Sequence, residues 1–144
     1  MLWRYAVLFV GGVLLKPRLC LCFFLTLALA GCAFDVVHVT QIPAQLEPAR
    51  GPANAFLLEN DVQVDLGTGF SRQLRTGTRW ESIGRIDKGD VYRTRDQVLT
   101  VEASHVHEAY IVVRSDKLVG FYLPVEKTFS PLPQPATLAM KAVP

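Results

Sequence analysis

The chain has 144 residues, half of them apolar and 19% charged, with a formal net charge of +2. That length bounds it at about one domain, and the composition excludes a disordered polyelectrolyte. The positive charge sits at one end: Arg4, Lys16 and Arg18 precede residue 32, while residues 32–144 carry 12 basic and 13 acidic side chains. A nucleic-acid binder needs a basic footprint in its working part, so no nucleic-acid partner is expected.

Residues 1–34 contain no Asp or Glu and hold all three cysteines, Cys20, Cys22 and Cys32. Lys16 and Arg18 form a positive n-region, and Leu19–Ala30 follows as a twelve-residue apolar core. At about 1.5 Å per helical residue such a core spans roughly 18 Å, short of a bilayer interior of roughly 30 Å. It reads as a helical signal peptide, residues 1–31, rather than a membrane anchor. A second apolar run, residues 5–15, makes this leader long. Either the n-region is extended from Met1, or translation starts later, near Val13; both give the same mature chain.

Leu29-Ala30-Gly31-Cys32 resembles the lipobox of bacterial lipoproteins at all four positions. The resemblance implies diacylglycerol transfer to the Cys32 thiol, cleavage before Cys32, and acylation of the freed amine. Two or three chains hold stably where one holds weakly. Ala33 rather than Asp follows the cysteine, which by the enterobacterial sorting pattern implies the periplasmic face of the outer membrane. The partner so implied is the membrane, through the lipid on Cys32. A protein component of the cell envelope is expected on the separate ground of the apolar hairpin Val106–Val125. With Cys32 acylated, the mature chain has no disulfide and relies on packing.

Residues 32–54 carry Pro43, Pro48 and Pro52, which disfavour a helix or a central strand, and read as a lipidated N-terminus and proline-rich tether. Phe34–Val39 is a candidate edge strand. Residues 55–129 read as a small β domain. Val62–Leu66 alternates apolar and polar; Gly67-Thr68-Gly69 is a turn; Thr78–Ile86 is a strand with Trp80 as core anchor. Asp87–Asp90 is a tight turn before Val91–Arg95, and Val98–Ala103 is a further strand. The longest hairpin pairs Val106–Arg114 with Leu118–Val125. Residues 130–144, with Pro131, Pro133, Pro135 and Pro144, read as a proline-rich tail.

The fold expected is all-β: a small antiparallel barrel or sandwich of five or six short strands. Gly77-Thr78-x-Trp80, Gly89-Asp90-Val91-Tyr92 and Val119-Gly120-Phe121-Tyr122-Leu123 give a faint resemblance to bacterial SH3-like domains over about half the chain.

His105 and His107, at strand spacing, would share one face about 7 Å apart and form a candidate metal pair lacking an obvious third ligand. The alternative is two histidines at a sheet rim, bonded to neighbours. Ser104 and His105 face opposite ways on a strand and cannot form a nucleophile–base pair. No Gly-x-Ser-x-Gly elbow or phosphate loop is present, so neither an enzyme nor a cofactor is expected. Six arginines between Arg72 and Arg95 are interleaved with acids, as on a mixed solvated surface. The hairpin is apolar on both faces. Either Phe121, Tyr122 and Leu123 present a partner surface, or the proline-rich tail or Phe34–Val39 covers them. The functional expectation is a non-catalytic binding and assembly module, with a ligand- or metal-binding protein using His105 and His107 as the alternative.

Overall fold

Thirteen strands and no helix occur among the residues described by the computed structural model, 38–144. The leader, the predicted signal-peptide helix and Cys32 lie outside them. The chain enters through Val39, which is buried, and then forms a strap of two minimal strands, β1 (Ile42–Pro43) and β2 (Glu47–Pro48). The apolar strand β3 (Ala55–Leu58) follows. β4 (Val62–Asp65) and β5 (Ser71–Leu74) pair only with each other, closed by the Leu66–Phe70 turn, where the Leu66 amide donates to the Phe70 carbonyl at 3.0 Å.

β6 (Arg79–Ile86) and β7 (Gly89–Thr94) pair around Asp87-Lys88. β8 (Thr100–Glu102) and β9 (Val106–Glu108) form a second small hairpin. β10 (Tyr110–Arg114) and β11 (Lys117–Leu123) meet at Ser115-Asp116, whose φ values of 49° and 60° match a two-residue hairpin turn with both central residues left-handed. β12 (Thr128–Thr137) and β13 (Met140–Val143) complete the set.

The main sheet runs β1-β12-β11-β10-β7-β6-β3-β13, with β2 also on β6, and its path is open. The strap therefore reaches both sides of the β6-to-β12 meander: Ile42 pairs Phe129, and Pro48 pairs Gly84. Both faces of the sheet are buried. One packs the larger core, including Trp80, Ile111, Phe121 and Leu123, against Val64, Leu66, Leu74, Leu99 and Val101 from the two separate hairpins. The other face packs Ile86, Val91, Val112, Tyr122 and Phe129 beneath Ala44 and Leu46 of the strap.

Arg72 ties the two hairpins together. Its Nε donates to the Thr100 carbonyl at 2.7 Å and its Nη2 reaches Thr100 Oγ1 and Glu102 Oε1, both at 2.5 Å. The Thr68 hydroxyl donates to the Glu102 carbonyl at 2.7 Å.

The all-β expectation holds, but the strand count of five or six is too low. The proline-rich segments supply four of the additional strands, β1, β2, β12 and β13, and the rest are β3, β5 and the division of Val106–Arg114 into β9 and β10. Residues 42–48 are paired strap rather than free tether, and residues 130–143 belong largely to the sheet rather than to a tail. The physical reason is parity. The Lys127 carbonyl and Phe129 face outward to the strap, so Pro131, of the same parity, turns its donorless nitrogen away from β11. Leu132 to Pro135 then bulge, since Gly120 pairs Pro131 while Leu118 pairs Ala136. The expected Val106–Arg114 strand is broken at Ala109, whose amide donates to Leu99, so β9 and β10 serve different sheets.

Candidate functional site

The Phe121–Leu123 surface is not exposed. Phe121, Tyr122 and Leu123 retain 1%, 4% and 0% of their accessible surface. β12 pairs along them, placing Ser130, Phe129 and Thr128 opposite, and Phe129 packs with Tyr122 on the strap-covered face. The proline-rich segment covers the hairpin, so these residues are core and not a partner surface.

His105 and His107 do not act as a strand pair. β9 begins at Val106, and His105 lies in the preceding turn, its carbonyl accepting from the Ala103 amide. His107 is directed to Glu126, with Nδ1 2.5 Å from Oε1. That contact ties the β8–β9 hairpin to the turn before β12, which suits the rim reading. Among the described residues no group of three or more His, Cys, Asp or Glu side chains converges as a metal site. Spacing alone missed this because Glu126 is 19 residues away in the chain.

The arginines are mostly engaged. Arg72 pairs with Glu102, Arg79 and Arg95 with Glu81, and Arg85 with Asp90. An uncompensated stripe does not form from these four.

A recess missed by the sequence reading opens between β3, β13 and the Ser115–Asp116 turn. Its volume is about 510 Å³, and Phe56, Tyr92, Leu138, Met140 and Ala142 supply its apolar wall. Asn54, Asp116 and Thr137 give it a polar rim. The Phe56 and Tyr92 rings meet edge to face, with centroids 5.1 Å apart. The Leu138 amide donates to the Asp116 carbonyl at 2.9 Å and fixes the rim. Burial, followed by the negative charge of Asp90, pushes the Tyr92 hydroxyl above its ordinary range, so it stays neutral and can donate a hydrogen bond. The recess has the size of a small-ligand or side-chain pocket. Its only sequence signal was Met140 and Ala142 at alternate positions, hidden within an apparent tail. Neither a family model, nor a curated protein, nor a solved structure matches the chain.

Proposed function

We propose that this chain is a lipid-anchored protein of the bacterial cell envelope, held by acyl chains on Cys32 at the periplasmic face of the outer membrane. Its β unit serves as a non-catalytic binding and assembly module for another envelope component. The observation that carries the anchor is the Leu29-Ala30-Gly31-Cys32 tetrad closing the Leu19–Ala30 apolar core. The strap that pairs with both β6 and β12 supports reading the meander as a partly open small barrel, in the manner of SH3-like domains.

The docking position moves from Phe121–Leu123 to β13 and the adjoining recess. The outer edge of β13 has no strand partner among the described residues, and an edge of this kind accepts an extended chain through backbone hydrogen bonds. Met140 and Ala142 line the recess while Lys141 alternates to the other face. The partner segment is therefore an extended strand with an apolar side chain for the recess and an acidic one near Lys141.

Mass spectrometry of natively produced protein tests the anchor. The N-terminal peptide is expected to begin at a thioether-linked, acylated Cys32, and Cys32→Ser is expected to leave the membrane fraction. A bare Cys32, or residues 1–31 still attached, overturns the proposal. For the docking position, a photo-crosslinker at Ala142 should capture one defined envelope protein that a crosslinker at Lys88 does not.

A further inference from the structure

We infer that the face around the chain's entry into the fold, centred on the Leu66–Phe70 turn, lies against the lipid headgroups. This rests on acylation of Cys32. From Cys32 to His38 there are six residue steps, which even fully extended reach no more than about 22 Å. A folded unit of roughly 100 residues has a radius of gyration of about 13 Å, hence a width of about 33 Å. The leash is shorter than the unit is wide. With the acyl chains in the bilayer, the half of the surface carrying the entry point reaches the membrane without the leash wrapping around the unit, and the opposite pole cannot reach it.

That half is suited to contact. His38 and Thr40 border a shallow recess of about 210 Å³ with Gly67, Thr68, Pro131 and Pro133. No Asp, Glu, Lys or Arg lines it, so approach to the headgroups buries no full charge there. By contrast, the hollow beneath the strap is lined by Glu47, Arg50, Arg85 and Asp90. On the same five-residue turn Phe70 leaves 46% of its surface exposed. An aromatic ring held out next to a recess without charged lining, on the face where the chain enters, matches the membrane–water interface, and the nearby Asp65 carboxylate is engaged by the Gly67 amide.

The turn is held firmly enough to present that ring. Thr68 is buried and bonded to Glu102, and the Gly67 amide donates to Asp65 Oδ1 at 2.8 Å. Pro133 packs directly over Gly67, where a Cβ would lie 2.7 Å from Pro133 Cγ. Gly67 also has φ of +69°, so the position favours glycine on two counts. The bulged prolines and the turn thus brace one another at the entry point.

The test uses the full, natively acylated protein reconstituted into phosphatidylethanolamine–phosphatidylglycerol vesicles containing brominated acyl chains. Phe70→Trp is compared with Lys88→Trp, in the Asp87-Lys88 turn, with buried Trp80 as the shared background. Phe70→Trp emission is expected to fall at least twofold more than Lys88→Trp emission. Equal quenching of the two, or none in either while the acylated protein floats with the vesicles, overturns the proposed face and leaves the anchor standing. Protein that lacks acyl chains and does not float overturns the anchor itself. Should Phe70→Trp fold poorly, hydrogen exchange on the unsubstituted protein gives the same decision. Vesicle binding must slow exchange in residues 66–70 and not in residues 87–89; the converse, or no change, refutes the orientation.

Discussion

Gly120 is the position where a single methyl group tests the packing most sharply. It lies in β11 opposite Pro131, and an alanine Cβ there would stand 2.3 Å from the Ser130 carbonyl oxygen. The same Cβ would meet Phe129 Cε2 and Cζ at 2.5 and 2.6 Å. Optimal carbon contacts need about 3.5 Å or more, so β12 must retreat by roughly 1 Å. Phe129 cannot simply swing aside, because it is buried with Tyr122, Val91 and Val112. Overpacking a dense core costs about 1–3 kcal/mol, and the backbone clash puts Gly120→Ala at the upper end. For a domain near 100 residues each kcal/mol moves Tm by about 4–8 °C, so a loss of roughly 12–24 °C is expected. Gly69→Ala is the control: nothing lies within 4 Å of its Cβ, and only its φ of +84° is strained. That strain costs about 1–2 kcal/mol. Thermal unfolding followed by circular dichroism should rank Gly120→Ala below Gly69→Ala and both below the parent. If Gly120→Ala melts within about 5 °C of the parent, the β11–β12 register described above is wrong.

Four further outcomes are expected. Phe121→Ala should lose about 3–5 kcal/mol in urea titration, whereas Val125→Ala, 77% exposed, should stay within about 0.5 kcal/mol; similar values for both would return Phe121 to the surface. Arg72→Met keeps the aliphatic stem but removes three hydrogen bonds from the hairpin clamp. It should cost about 1–2 kcal/mol and speed amide exchange in β8 and β9 before the main sheet. Burial raises the Tyr92 pKa, so the native state retains a proton that the unfolded chain releases. Stability should fall as pH rises from the ordinary tyrosine value toward the raised one, and Tyr92→Phe should flatten that decline; an unchanged slope counts against the burial argument. Zinc titrated calorimetrically into chelator-stripped protein should give no saturable heat, and a one-to-one tight site would show that His105 and His107 converge.

The legible parts of the fold are those where pattern and turn chemistry agree. Val62 to Asp65 alternates and Trp80 is a buried anchor, as expected. Both expected turns are tighter: Gly89 and Asp90 already pair in β7, leaving Asp87-Lys88, and Lys117 pairs with Arg114, leaving Ser115-Asp116 between the two arms. β5 was not legible, since Ser71-Arg72-Gln73-Leu74 offers one buried side chain and owes its strand to β4. The strap escaped notice because strands of two residues carry no period. β12 was not legible because proline content alone carries no parity, and it is the parity of Pro131 that decides which edge loses its donor. For the candidate site, the two-faced apolar character of the Tyr110–Val113 and Val119–Leu123 runs was legible, but the burial of Phe121, Tyr122 and Leu123 was not. Which element covered them was not, because that depends on a 130–137 segment returning beside β11. The recess at Phe56 and Tyr92 assembles residues from β3, β7 and β13, a convergence that no local window contains.

The edges of the main sheet bear on where a partner can attach. One end is guarded: β1 covers Thr128 and Phe129, and beyond them Pro131 denies an incoming strand a donor. Such guarding is the expected response to an edge that would otherwise recruit strands indiscriminately. The other end, β13, has four residues, no proline among them, and an adjoining apolar recess. Lys141 on its far face discourages casual apolar pairing without removing a backbone donor, so it favours a partner with a matching acid over a second copy presenting its own Lys141. Lys141→Glu should therefore weaken capture at Ala142 by at least fivefold while leaving the melting temperature within about 4 °C. Undiminished capture by that variant would mean that shape alone, without charge, selects the strand that binds there.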